Sequence, residues 1–448
     1  MTVHGIYRTI LLLFFASLAV VLLSLVDIRR GFLLSRYELT NPWVNLNPHH
    51  LWWLALGVAG LLGAYSRLDR YEARGEVDER QVQSLAKLTV FALFGVLMAD
   101  TLLFYRGVAA IRIVEAGKMG IGTLGLSPGQ LPGQAELIPL ASMPFFLRPV
   151  AIAVNYLALV WHATLLALLW AGLGTVAFPL YFGRLISPRG ASRFRSLMGG
   201  LAYALPQPFC SCCAAPIAAT IYRAGASLTS SVAFLLSSPA LNITALILAA
   251  TLLPLPFAVL RIVGGGLLVI FTAYLVATFA GRFPLEEVPR PPRGIVGLVS
   301  RVLNRYATLF QFEPKGGVRS PAGLIRCWLS STVRIAKVMI PTLAVGGVMA
   351  GLIVTFVPAV FTNDLAGILL ASGVGTILMI ATWTEIPVAA ILAAQGLTGP
   401  AAALLITLPV VSLPCLIIFG GALRGWRVPL LLSLSTFGFG VLAGLVFL

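Results

Sequence analysis

Charge is what this chain has least of. Asp, Glu, Lys and Arg make up 10% of its 448 residues, against about 25% in soluble domains. That scarcity excludes a soluble fold, because apolar runs near or above the ~20 residues needed to span a bilayer recur from end to end. The runs are continuous blocks, without the dyad alternation of a membrane β-barrel. Histidine is rarer still, with four copies. No His-Glu-x-x-His, Gly-rich phosphate loop or Gly-x-Ser-x-Gly is present, so metallohydrolase, nucleotide and serine-hydrolase chemistry lacks a motif, and an enzyme is not expected. Five cysteines, an odd number, do not make a paired extracellular framework. Acidic residues are few, 15 against 31 basic ones. The arginines lie in short segments between apolar blocks, as orientation signals do. They are not interleaved with aromatics, which argues against nucleic acid as a partner.

What is present reads as an all-α polytopic integral membrane protein. About nine spans are expected, over residues 9–26, 51–66, 86–104, 150–178, 229–253, 257–280, 333–357, 397–423 and 428–448. Two further apolar stretches, 197–224 and 364–395, are interrupted by Gly, Pro and polar residues. The first block follows Arg8 but is long for a signal-peptide core and is followed by no small-x-small site, so a retained helix is expected. The basic segments 67–87, 184–195 and 282–326, with Arg424 and Arg427, belong in the cytoplasm by the positive-inside rule. This puts the N-terminus in the cytoplasm of a bacterial-type inner membrane. Trp43, His49, His50, Trp52 and Trp53, and the Gly/Pro-rich link 105–149, then lie outside. The interrupted stretches become re-entrant dips, the first entered from the cytoplasm and the second from outside.

Those dips belong to an internal repeat. Pro216-Ile-Ala-Ala-Thr-Ile-Tyr-Arg-Ala-Gly225 aligns with Pro387-Val-Ala-Ala-Ile-Leu-Ala-Ala-Gln-Gly396. Each copy continues into a helix with a mid-helix proline, Pro239 with Asn242 three further on and Pro409 with Ser412 three further on. Opposite entry sides make these inverted-topology repeats, a plan shared by many secondary transporters. The expected organisation is a three-helix accessory module (1–149), repeat one (150–280), a cytoplasmic linker (281–326) and repeat two (327–448).

The chemistry-bearing residues cluster at the breaks. Pro206-Gln-Pro-Phe-Cys-Ser-Cys-Cys-Ala-Ala-Pro216 places three thiols among three prolines. Thiolates are soft ligands, and a Cys-x-Cys spacing on non-helical backbone can turn both sulfurs to one ion. Cys210, Cys212 and Cys213 are therefore candidate substrate contacts and a transient metal site. No His or second Cys pair completes a structural zinc site, and no cofactor is expected. The alternative is that they are small buried residues. Cys327 and Cys415 are read as packing residues. Glu385 lies in the second dip, where a carboxyl is costly unless it faces a cavity or partner, making it a candidate proton carrier. His162, seven residues after Asn155 on one helix face, is a second candidate for the proton path. Pro239, Asn242, Pro409 and Ser412 mark breaks whose free backbone groups bind polar solutes. Ser237, Ser238 and Thr407 are placed near them. Asp100 is expected to pair with Arg106, and Arg223 to anchor its helix at the cytoplasmic edge.

The run Pro208-Phe-Cys-Ser-Cys212, Pro216, Tyr222-Arg-Ala-Gly225 and Ala233-Phe-Leu-Leu-Ser-Ser-Pro-Ala-Leu-Asn242 resembles the predicted permease family that includes YraQ-type permeases and ArsP organoarsenical exporters. The resemblance is specific over 206–242, extends over 150–448 and does not reach the first ~149 residues. It implies an inner-membrane permease and, for its ArsP branch, export of trivalent organoarsenicals engaged through thiols at Cys210 and Cys212. Cys213, where the family often has a small residue, departs from the pattern. The leading expectation is a permease working by alternating access on a thiophilic metal, metalloid, organoarsenical or sulfur-containing solute, with proton coupling. The other classes are a membrane thiol-redox protein and an assembly subunit. Expected partners are the lipid bilayer and a small solute, with a second copy or a membrane-complex subunit as further candidates.

Overall fold

The computed structural model describes residues 3–30, 46–74, 79–107, 137–177, 191–207, 209–223, 225–280, 320–356, 361–380, 385–423 and 425–448. Among them, nine helices are long and apolar enough to cross a membrane. All the described regular elements are helical, as a chain that must satisfy its backbone internally in lipid requires. Pro208, Ala224, Arg424, Trp43, positions 381–384 and most of the 105–149 and 281–326 segments lie outside the described residues.

The first three helices are α1 (Val3–Arg30), α2 (Pro48–Ala73) and α3 (Glu79–Met98), the last running into a π-helical stretch, Ala99–Gly107. Small residues let α1 and α2 approach closely. A Cβ on Gly57 or Gly60 would collide with Val21 or Ser17. At the far end of α2, Glu72 Oε1 accepts from Tyr7 Oη at 2.5 Å and from the Ala322 amide at 2.9 Å. Asp69 accepts from Arg326 Nη2 at 2.7 Å, tying this module to the helix that begins at Pro321.

The remaining elements fall into two runs of the same order. The first is α4 (Arg148–Ala177), α5 (Arg193–Ala204), α6 (Ser211–Arg223), α7 (Leu228–Ala240), α8 (Ile243–Leu252) and then α9 (Leu255–Val259), which passes through a π turn at Leu260–Gly264 into α10 (Gly265–Ala280). The second is α11 (Pro321–Phe356), α12 (Leu365–Ile377), α13 (Glu385–Ala394), α14 (Thr398–Val410), α15 (Leu413–Leu423) and α16 (Arg427–Val446). Each run is one long helix, two half-helices, a helix broken in the middle and a closing long segment.

The two turns that the sequence aligned share their hydrogen bonding. Gly225 (φ 107°) and Gly396 (φ 81°) are the positive-φ glycines among the described residues. In both, the next residue donates back five positions, Ala226 N to Ile221 O at 3.1 Å and Leu397 N to Leu392 O at 2.9 Å. This is the Schellman closure that a left-handed C′ residue permits. The long helices α4 and α11 pack through the Gly347-x-x-x-Gly351 face, where a Cβ on Gly351 would strike the Pro149 carbonyl. On the other side of the pair, Gly172 lies under Thr332.

Two sequence expectations shift. Helix α11 starts at Pro321, inside the segment assigned to the linker, because Ser320 caps it (Gly323 N to Ser320 Oγ, 3.2 Å) and Glu72 takes the Ala322 amide. The Cys motif is not wholly irregular either. Helix α6 begins at Ser211, leaving Cys210 outside and Cys212 and Cys213 in its first turn.

Candidate functional site

The breaks in α7 and α14 are where the site is built. Proline cannot donate to the carbonyl four residues earlier, so Pro409 strips Leu405 of its intrahelical partner and Pro216 does the same to Cys212. Helix α7 ends at Ala240, Asn242 Oδ1 caps α8 by accepting from Ala245 N at 2.8 Å, and the Ile243 amide turns to Leu205 O at 3.2 Å. Pro239 O, at the open end of α7, accepts from Asn242 Nδ2 at 3.3 Å.

A residue from a third element meets the carbonyls of both breaks. Arg261, in the π turn of an otherwise apolar helix, donates to Leu405 O at 3.2 Å through Nη1 and to Pro239 O at 3.1 Å through Nη2. The same Nη2 lies 2.9 Å from Glu385 Oε1, and both side chains are 0% exposed. One guanidinium thus joins the broken helix of each run and the second half-helix of the second dip. Sequence reasoning placed Pro239, Pro409 and Glu385 near one another but missed Arg261. Its signal was available as the lone cation inside the apolar block 257–280.

The thiols form the second part. Cys210 O accepts from the Cys213 and Ala214 amides at 3.0 and 2.8 Å, which starts α6 and turns the three side chains together. Cys210 Sγ and Cys212 Sγ are 2.8 Å apart, and all three sulfurs lie within 4.8 Å of one another, buried. Tyr156 of α4, a second residue missed from sequence, has its Oη 3.9 Å from Cys212 Sγ and 3.4 Å from Ile380 O, to which it donates. Ile380 lies in the break of the second dip, so this tyrosine brings the two dips together. Ser211 Oγ donates to Ser412 Oγ at 3.0 Å, a second link between the thiol dip and the break after α14. Ser238 Oγ donates to Gln207 O at 2.6 Å. Gln207 Oε1, Ser237 Oγ and Arg261 Nε are buried without a hydrogen-bond partner among the described residues.

Other expected residues lie elsewhere. His162 is buried with its ring against Tyr105 (centroids 4.4 Å apart) and Trp161, on the side of α4 that meets the N-terminal module. Asn155 holds the backbone of Ile138 through both amide atoms. Thr407 Oγ1 is used within its own helix, donating to Ala403 O at 2.9 Å. The expected Asp100–Arg106 pair falls on a side chain, that of Arg106, outside the described residues; Asp100 is buried, and both its carboxyl oxygens lack a partner among the described residues. Asp27, His49 and His50 form a second cluster of potential ligand atoms. There the Asn47 amide donates to His50 Nδ1 at 3.1 Å, which leaves the ring proton on Nε2, 2.7 Å from Asp27 Oδ2. The lone pair a metal would need is replaced by a hydrogen bond, so the cluster reads as a structural clamp between α1 and α2.

Residues 150–448 match a family model described as "Predicted permease". The chain belongs to that family. It is 32% identical to the UPF0718 protein YraQ of Escherichia coli K12 over 269 residues, covering 59% of this chain and 71% of that one. The UPF0718 protein MJ0584 of Methanocaldococcus jannaschii is 24% identical over 259 residues, covering 46% and 69% of the two chains. No solved structure matches the chain. The family match begins at Val150, two residues into α4, and takes in both runs of elements, the thiols, Arg261 and Glu385. This is a multi-pass membrane permease, a transporter-type family rather than an enzyme family.

Proposed function

We propose that this permease moves a trivalent, thiol-reactive solute, with an organoarsenical as the leading case, and that Glu385 couples the movement to protons. The observation that carries the reading is the convergence of three buried thiols beside the break of the opposite dip. Three soft donors suit a soft, thiophilic centre. No fourth Cys or His stands with them among the described residues, so the cluster fits cargo in passage better than a resident metal.

A trivalent arsenical with one As–C bond has two positions open to thiolate. Cys210 and Cys212 supply that pair, each As–S bond replacing an As–OH that leaves as water with the thiol proton, and Cys213 is the neighbour to which the solute is handed on by thiol exchange. Gln207 Oε1 and Ser237 Oγ add acceptor and donor capacity for the solute's hydroxyls before the thiols displace them. Proton uptake by Glu385 removes the charge that holds Arg261, freeing the guanidinium that links the two broken helices. Alternating access in an inverted repeat then has a titratable latch at its seam. The N-terminus, the 67–87 and 184–195 segments and the described start of α11 face the cytoplasm of the inner membrane in this reading.

Reconstituted vesicles test it with a mono- and a dimethylated trivalent arsenical and antimonite, with and without a pH gradient. Wild type is expected to transport at least one of the three. Cys210→Ser/Cys212→Ser should abolish that transport, and Glu385→Gln should remove its response to the pH gradient. Full transport of every substrate by the Cys variant would sink the thiol reading.

A further inference from the structure

The first turns of α1 and the last turns of α2 enclose a pocket of about 370 Å³ that the permease reading does not use. Arg67, Arg70, Tyr71 and Arg74 line it from α2. Their spacing of i, i+3, i+4 and i+7 puts all four on one helix face. Ile6 and Ile10, also four apart, form the facing wall on α1 with Thr9, whose hydroxyl is used within its own helix, donating to Gly5 O at 2.9 Å. No carboxylate is among the lining residues that are described. The acidic residues of the same turns of α2 are committed to the other side: Asp69 to Arg326, and Glu72 to Tyr7 and the Ala322 amide. Arg70 is steadied in place, donating from Nε to Ser66 O and from Nη2 to Ser66 Oγ, both at 3.1 Å. Three guanidiniums therefore share one recess with a largely apolar wall.

The depth of the recess narrows what it holds. The exposed Trp52 and Trp53 mark one membrane interface on α2. At 1.5 Å per residue, Arg67 to Arg74 lie roughly 21–32 Å further along the helix, where a hydrocarbon core of about 30 Å gives way to headgroups. A soluble anion has no use for the isoleucine wall, whereas a phospholipid has both parts. We propose that this pocket is a binding site for the phosphodiester headgroup of an anionic phospholipid, whose acyl chain runs along Ile6 and Ile10. Basic pockets between membrane helices on the cytoplasmic side are suited to such headgroups.

Native mass spectrometry of the full-length protein in detergent, with defined lipids added at equal concentration, reads the site directly. Phosphatidylglycerol should be retained about tenfold more than phosphatidylcholine on wild type, and that preference should vanish in Arg67→Gln/Arg70→Gln/Arg74→Gln. Ile6→Trp, which fills the recess and leaves the charge alone, should also lose it, so the outcome does not hang on one variant that folds poorly. Equal retention of the two lipids, or unchanged phosphatidylglycerol retention in Ile6→Trp, overturns the proposal. Displacement of phosphatidylglycerol by millimolar inorganic phosphate alone would assign the recess to a free anion and overturn the lipid assignment.

Discussion

Arg261 carries an unusual share of the contacts in the seam, and its removal separates two effects. Arg261→Met leaves the Glu385 carboxyl buried without its cation, Leu405 O without the guanidinium and Pro239 O with Asn242 Nδ2 alone, which should cost about 3–5 kcal/mol, read as a lowered unfolding midpoint in detergent. Glu385→Gln keeps an acceptor for the guanidinium and should cost clearly less, while still abolishing the pH response. If the two variants unfold alike, the guanidinium's bonds to Pro239 O and Leu405 O add nothing and the seam has been misread. At this scale the sequence was partly legible. The thiols, Glu385 and the prolines announce themselves by being out of place in an apolar chain. Tyr156 does not, because a tyrosine in a membrane helix is ordinary until tertiary structure sets it beside a sulfur. Arg261 was visible as a lone cation but could not be paired, since nothing local points 124 residues ahead to its partner.

Elements were the most legible level, because apolar block length and proline position set them directly. The helix breaks after Pro239 and Pro409 fall where the sequence placed them, as does each Schellman glycine. What escaped was capping from a distance: the Glu72 carboxylate extends α11 back to Pro321 from another part of the chain. Two tests belong here. Pro409→Ala returns an amide to Leu405 O, and a proline inside a helix is about 3 kcal/mol worse than alanine. Thermal stability should therefore hold or rise while transport falls, because Arg261 then competes for a satisfied carbonyl. Unchanged transport would mean the break is incidental. Gly351→Leu puts a side chain into the Pro149 backbone where α4 and α11 cross, and overpacking of at least 1–3 kcal/mol should appear as lower stability and lower yield of monodisperse protein.

For the whole molecule, the two runs of elements and their matched turns make a specific claim about sidedness. If the runs are inverted, the Gly225 and Gly396 turns open to opposite faces of the membrane. Single cysteines at Ser227 and Gln395, in a background with the native cysteines replaced, should react with an impermeant maleimide from opposite sides. Ser227→Cys should be labelled only in inside-out vesicles and Gln395→Cys only in right-side-out ones. Labelling of both from one side would end the inverted-repeat reading. The N-terminal module lies outside the family match, yet it is fastened to α11 through Asp69 and Glu72. Charge spacing alone could not reveal that joint, because its partners are 250 and 257 residues apart in the chain.

The separation between Arg261 and Glu385 also has a consequence for synthesis. A central arginine raises the free energy of inserting its helix by about 2.5–3.5 kcal/mol, which the surrounding apolar residues must outweigh unaided. At 5–20 residues per second, the 124 intervening residues take roughly 6–25 s to be made. Throughout that interval the first half of the permease sits in the bilayer with an unmatched cation. A ribosome stalled there, or a chain cut short, would leave a fragment marked by its own exposed charge, and that mark is erased only when the second half arrives.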